Sequence, residues 1–237
     1  MNALSRFNRR CLIASAVLAA MAALAVPAAN AGEAANAAQD AQYLIYLPSR
    51  SPNVDQAANI RAFEDNGLSV LTFAYAGESD HEYARRIRNE VRGLIAKGAA
   101  PEAITVVGAG SASPVAALTS AMTGNRHVNY VLLGNCDPRL TDDSGFHLSG
   151  RVLGIRDADD GASPSCRPLW RDAPRLGQRQ DLIVRSGQGA AIFDAPRQQW
   201  VQPLADWSRG GSVDIGEIRV GSNDRNSIDR VATRASN

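Results

Sequence analysis

A doubly wound, mostly parallel α/β sheet with helices on both faces is predicted from two observations. Short β-favouring apolar runs alternate with helix-period segments along most of the chain, as parallel strands joined by crossover helices require. One run, Ile104-Thr105-Val106-Val107, then enters a tight turn of small residues and leaves it at once as a helix-compatible segment ending near Leu118. A strand, a sharp elbow and a helix in that order can lift one side chain above the carboxyl edge of a sheet.

The elements follow in chain order. Tyr43 to Leu47 is a short apolar strand, and the prolines and serines of Pro48-Ser49-Arg50-Ser51-Pro52 break any ladder after it. Val54 to Asp65 fits a helix that Asn66-Gly67 closes. Leu68 to Ala74 is the next strand. From Asp80 to Ala96, Tyr83, Ile87, Val91 and Ile95 recur every fourth residue, so this stretch is an amphipathic helix that Gly98 stops. After the elbow strand comes a helix from about Ser113 to Met122. Ser113 before Pro114 reads as a helix cap followed by the residue favoured at the first helical position, and Ser111 reads as a capping residue too. Strands at Val128 to Leu133, Gly150 to Ile155 and Leu182 to Arg185 follow, and a helix from Gln199 to Trp207 closes the domain near residue 210. Residues 211–237 form a polar tail in which Ile215, Ile218 and Val220 allow one edge strand.

The first 31 residues read as an export signal. Arg6, Arg9 and Arg10 precede an apolar run from Leu12 to Val26, and Ala29-Asn30-Ala31 offers a small-x-small cleavage site. Arg9-Arg10 also allows a twin-arginine route. Residues 32–41 are an alanine-rich lead-in. Cleavage after Ala31 leaves 206 residues with 22 basic and 24 acidic side chains, a net charge of −2. That chain is long enough for one domain from 42 to 210, and its charge suggests no nucleic acid and no membrane surface. A periplasmic or secreted location is expected. There an even pair of cysteines, Cys136 and Cys166, favours a disulfide over two free thiols. No histidine or cysteine lies near either at zinc-ligand spacing, and the acidic run Asp157-Ala158-Asp159-Asp160-Gly161 departs from the spacing of a calcium-binding helix–loop–helix. No cofactor and no metal is expected.

Four segments carry a resemblance: Ile104 to Ala109, Asn129 to Cys136, Gly150 to Ala158 and Ser165 to Leu169. Over residues 42–209 the chain is similar to small lidless bacterial members of the α/β-hydrolase superfamily. In that family the first strand of the domain, here Tyr43 to Leu47, ends in Leu-His-Gly, the elbow reads Val-Val-Gly-Ala-Ser-Lys-Gly, and the catalytic histidine lies in a Gly-x-Gly-His-Gly loop. The resemblance implies a fold without a lid domain and places three catalytic positions. The nucleophile position falls on Gly110 and the base position on Gln188, within Ser186-Gly187-Gln188-Gly189-Ala190. The acid position, Asp157 in Gly154-Ile155-Arg156-Asp157, is retained. The oxyanion-supporting segment reads Pro48-Ser49, and proline brings no amide proton. A glycine has no nucleophile, and glutamine takes no proton near neutral pH. Because a triad acts as a unit, these losses compound.

Two functions are therefore expected. The first is an exported pseudoenzyme that binds a small ligand or an envelope partner in a former active-site cleft lined by Pro48, Ser49, Gly110, Asp157 and Gln188. The alternative is a working esterase or peptidase whose turn slips by one residue to present Ser111, with His81 as its base. His127 and His147 each precede a strand and fall at the opposite end of the sheet.

Overall fold

The structure is a computed structural model that describes residues 41–171, 173–213 and 218–219. The segment 1–31 read as an export signal, nearly all of the lead-in, and Ile215 and Val220 lie outside the described residues. Seven parallel strands form one sheet: β1 (Tyr43–Leu47), β2 (Ser69–Thr72), β3 (Ile104–Ala109), β4 (Asn129–Leu133), β5 (Ser149–Asp157), β6 (Arg175–Arg185) and β7 (Ile218–Arg219). Their order is β2-β1-β3-β4-β5-β6-β7. The interior strands are near-continuous apolar runs because both faces are covered. Every residue of β3 and β4 is buried.

Four helices supply that cover: α1 (Gln56–Asp65), α2 (Asp80–Ala96), α3 (Ser113–Thr123) and α4 (Gln198–Ser208). One face buries Tyr83, Ile87 and Val91 of α2 with Val115, Ala116 and Leu118 of α3 against Ile45, Val106, Tyr130 and Val152. The other buries Phe63 of α1 and Trp200, Leu204 and Trp207 of α4 against Leu44, Tyr46, Val131 and Leu153. The doubly wound sheet expected from the alternation is the one observed. The β4–β5 and β5–β6 connections carry only 3-10 turns, Pro138–Asp142 and Arg167–Trp170.

Local chemistry sets the helix ends. Asp55 Oδ1 accepts from Ala58 N–H at 2.9 Å, and Ser79 with Glu82 makes a reciprocal capping box at the start of α2.

Four sequence expectations need correction. β2 is shorter than residues 68–74, because it is the outer strand and pairs with β1 alone. β6 begins at Arg175 rather than Leu182. Its first seven residues, Arg-Leu-Gly-Gln-Arg-Gln-Asp, lack an apolar period because they lie at the outer part of the sheet, yet they pair with β5 through a register shift near Gly150. Ser113 does not cap α3: it is the first helical residue, and its buried hydroxyl finds no partner among the described residues. Ser111 does not cap α3 either, since its hydroxyl turns to the loop after β1. The edge strand that the polar tail allows is present at Ile218–Arg219. Val213 is buried and exchanges two hydrogen bonds with the Gln180 side chain, and Ile218–Arg219 pair with Val184–Arg185.

Tyr46 gives the core a pH dependence. It packs edge-on to Phe63 and its hydroxyl accepts from Asn59 Nδ2 at 3.1 Å. Burial pushes its pKa up from 10.0 to about 12. Above pH 10 the unfolded chain therefore loses this proton while the folded chain keeps it. Stability falls as pH rises from about 10 to about 12, by about 3 kcal/mol from this group. In Tyr46→Phe, urea unfolding followed across that window should show a shallower alkaline loss. Asn59 Nδ2 keeps a second acceptor there, Phe193 O at 3.3 Å.

Candidate functional site

The winding reverses at β1, which lies between β2 and β3. In an open parallel sheet the crevice forms outside the carboxyl ends of the strands at such a reversal. The loop after β1 carries Pro48, Ser49 and Arg50, and the elbow after β3 carries Gly110 and Ser111. Asp157 ends β5, and Ser186 to Gln188 follow β6 at the same edge.

The elbow register is decided by two glycines. A Cβ at Gly108 would lie 2.4 Å from Ala112 O and 2.8 Å from Ser113 Cα, so the strand and the departing helix cross too closely for any side chain there. Gly110, two residues on, has φ +51°, the left-handed conformation of the strained elbow residue. Gly110, Ser111 and Ala112 together form a 3-10 turn that leads into α3. The left-handed elbow backbone falls on Gly110.

The space above Gly110 is already filled. A Cβ on Gly110 would lie 2.8 Å from Ser49 Oγ and 3.1 Å from Ser49 Cβ. Ser111 is exposed, but its hydroxyl is engaged: Arg50 N–H donates to it at 2.9 Å and Ser49 Oγ lies 3.4 Å away. A serine nucleophile needs a base within hydrogen-bond reach, and the groups that engage this hydroxyl are a backbone amide and a second hydroxyl. His81, His127 and His147 are all exposed.

Asp157 is fully buried and its carboxylate is taken up by loop donors. Oδ1 accepts from Asp159 N–H at 2.8 Å, while Oδ2 accepts from Ser186 N–H at 3.0 Å and from the Ser186 hydroxyl. Ser186 Oγ in turn accepts from Gln188 N–H at 3.1 Å. Gln188 itself is exposed. Asp159 Oδ2 accepts from Gly187 N–H at 3.1 Å, and Asp160 Oδ1 accepts from Ala162 N–H at 3.1 Å, so the acidic run is tied to backbone amides. Ser186 is the partner that sequence reasoning missed. It stands two residues before Gln188, and that adjacency was the available signal.

Cys136 and Cys166 form a disulfide with Cα atoms 4.9 Å apart, joining the loops after β4 and β5. Ser163 Oγ donates to Gly134 O at 2.6 Å across the same gap. The loop that leaves Asp157 is thereby held at both ends.

No protein-family model and no curated protein matches the sequence. Solved structures do. RedJ, a thioesterase of the prodiginine biosynthetic pathway in Streptomyces coelicolor, has been solved with a PEG molecule in its active site. It superposes with a TM-score of 0.50 at 11% identity, over 73% of this chain and 91% of that one. A YdeN-like hydrolase from Pectobacterium atrosepticum gives 0.48 at 15% identity over 73% and 94%. An acetyl ester–xyloside hydrolase from Caldicellulosiruptor lactoaceticus gives 0.45 at 16% over 72% and 83%. Likeness at such identities concerns architecture alone. The parallel sheet with helices on both faces is that of the α/β-hydrolase fold.

Proposed function

We propose that the mature protein is an exported pseudoenzyme of this fold that binds a small ligand or an envelope partner in the crevice at the carboxyl ends of β1 and β3. The observation that carries this reading is the filled nucleophile position. Where a reactive side chain would rise from the elbow there is Gly110, and the Ser49 side chain stands 2.8 Å from where its Cβ would be. The retained acid supports the same reading, since Asp157 holds backbone and hydroxyl donors of the neighbouring loops rather than a base. RedJ, which shares this fold, holds a PEG molecule in its active site.

The competing reading is a serine hydrolase built on Ser111. Incubation of the mature protein with a fluorophosphonate probe separates the two. The expected result is no covalent labelling. Labelling that disappears in Ser111→Ala would overturn the pseudoenzyme reading. Export is checked by fractionating cells that express the full chain. The protein should be recovered from the periplasm or medium with Gly32 as its first residue, and retention of the uncleaved chain in the cytoplasm would sink that part of the reading.

A further inference from the structure

A second arrangement at the same edge of the sheet has no place in the triad. The loop after β2 and the start of α2 carry Tyr75, Glu78, Asp80, Tyr83 and Arg86. Arg50 Cζ lies 4.1 Å from the centre of the Tyr75 ring. Tyr75 packs on Tyr83 with centroids 5.9 Å apart, and Arg86 Cζ lies 4.7 Å from the Tyr83 ring. The four side chains form one stack, guanidinium–ring–ring–guanidinium. It borders a shallow groove lined by Ala76, Gly77, Glu78, Glu82 and Arg86. Tyr75 is 42% exposed, the one large apolar side chain open to solvent among the described residues.

The two halves of the stack differ. Arg86 is fixed: its guanidinium donates to Glu78 Oε1 through Nε at 3.2 Å and through a second nitrogen, which also donates to Ala74 O at 2.8 Å. Tyr83 is buried and its hydroxyl donates to Phe73 O at 2.5 Å. Arg50 is exchangeable. Its carboxylate partner is Asp80, and the two side chains are 37% and 40% exposed. An ion pair that open to water contributes little and can be replaced by another carboxylate. The Arg50 guanidinium sits over the Tyr75 ring, so an incoming planar carboxylate meets a fork of donors backed by that ring. An apolar group attached to that carboxylate can pack on the exposed part of the Tyr75 ring.

We propose that Arg50 and Tyr75 form a recognition site for a small organic carboxylate that displaces Asp80 from Arg50. A planar carboxylate suits the site better than a phosphate dianion, because the second guanidinium, Arg86, is committed to Glu78. This site does not depend on whether Ser111 reacts, so its failure and that of the pseudoenzyme reading are told apart by different measurements.

The test uses the mature protein, with benzoate as probe and benzamide as its uncharged counterpart, each titrated by NMR at low ionic strength. Benzoate should bind with Kd on the order of millimolar, as expected for one exposed ion pair plus ring packing. Benzamide should bind at least tenfold more weakly, and inorganic phosphate more weakly than benzoate. Arg50→Gln should lose benzoate binding. Asp80→Asn should strengthen it at least threefold, because the internal competitor is gone. Both positions are exposed, and unchanged melting temperatures would verify that the variants fold. No saturable benzoate signal in Asp80→Asn, equal binding of benzamide, or unaltered binding in Arg50→Gln would each overturn the proposal.

Discussion

Replacing Asp157 by alanine should cost about 3 kcal/mol of folding stability, and fluorophosphonate labelling should not change. The carboxylate is fully buried and accepts two backbone N–H groups and one hydroxyl from the loops after β5 and β6. Hydrogen bonds to a charged acceptor each contribute about 1.5–3 kcal/mol, and their removal leaves donors in the interior without a partner. For a domain of this size the loss corresponds to roughly 6–12 °C in melting temperature. Ser186→Ala should cost only about 1 kcal/mol, since it removes one donor and leaves the carboxylate with two. Urea unfolding of the two variants checks the order. In a working triad the acid serves mainly to orient a histidine, so its loss would fall on rate with the geometry intact. A Ser186→Ala loss equal to or larger than that of Asp157→Ala would contradict the role given to the carboxylate.

The Cys136–Cys166 bond should contribute about 3.5 kcal/mol on a chain-entropy estimate for its 30-residue separation. The double Ser variant is therefore expected to lower the urea midpoint by about 1–2 M without changing the fold. The loops it joins carry the acid and its neighbours, so the effect should be accompanied by faster amide exchange from Asp157 to Cys166. A midpoint shift below about 0.5 M would mean that the hydrogen bonds across these loops, Ser163 to Gly134 among them, already hold them in the denatured ensemble. Gly154 belongs to the same device. A Cβ there would stand 2.3 Å from Cys166 Sγ, so the residue that matches the family pattern also leaves room for the bridge.

Legibility in the sequence followed burial. β1 and α2 have the bounds predicted for them, because β1 is an apolar run buried on both faces and α2 turns an apolar residue to the core every fourth position. The outer half of β6 was not legible. Arg175 to Asp181 has no apolar face, and its strand conformation comes from pairing with β5, a contact more than twenty residues away in sequence. Ser113 misled for a related reason: Ser-Pro is a good local start signal, but the strand crossing at Gly108 brings the helix in so close that the serine is already helical. The candidate site was legible as a set of positions. Gly110, Ser111, Asp157, Gln188, Pro48 and Ser49 all fall at the carboxyl edge of the sheet. What each of them touches was not.

The sequence by itself determined the doubly wound parallel sheet, the glycine at the elbow and the pairing of Cys136 with Cys166. These follow from periodicity, from the absence of a side chain and from cysteine parity, all of which are local or countable. Only the tertiary structure decided that Ser49 stands over Gly110, that Arg50 holds the Ser111 hydroxyl, and that Ser186 holds Asp157. Each sets a short polar side chain against a residue 29 to 61 positions away. Such contacts leave no period in the chain. They are set by how three loops, carried on strands fixed by the core, meet above the same edge of the sheet.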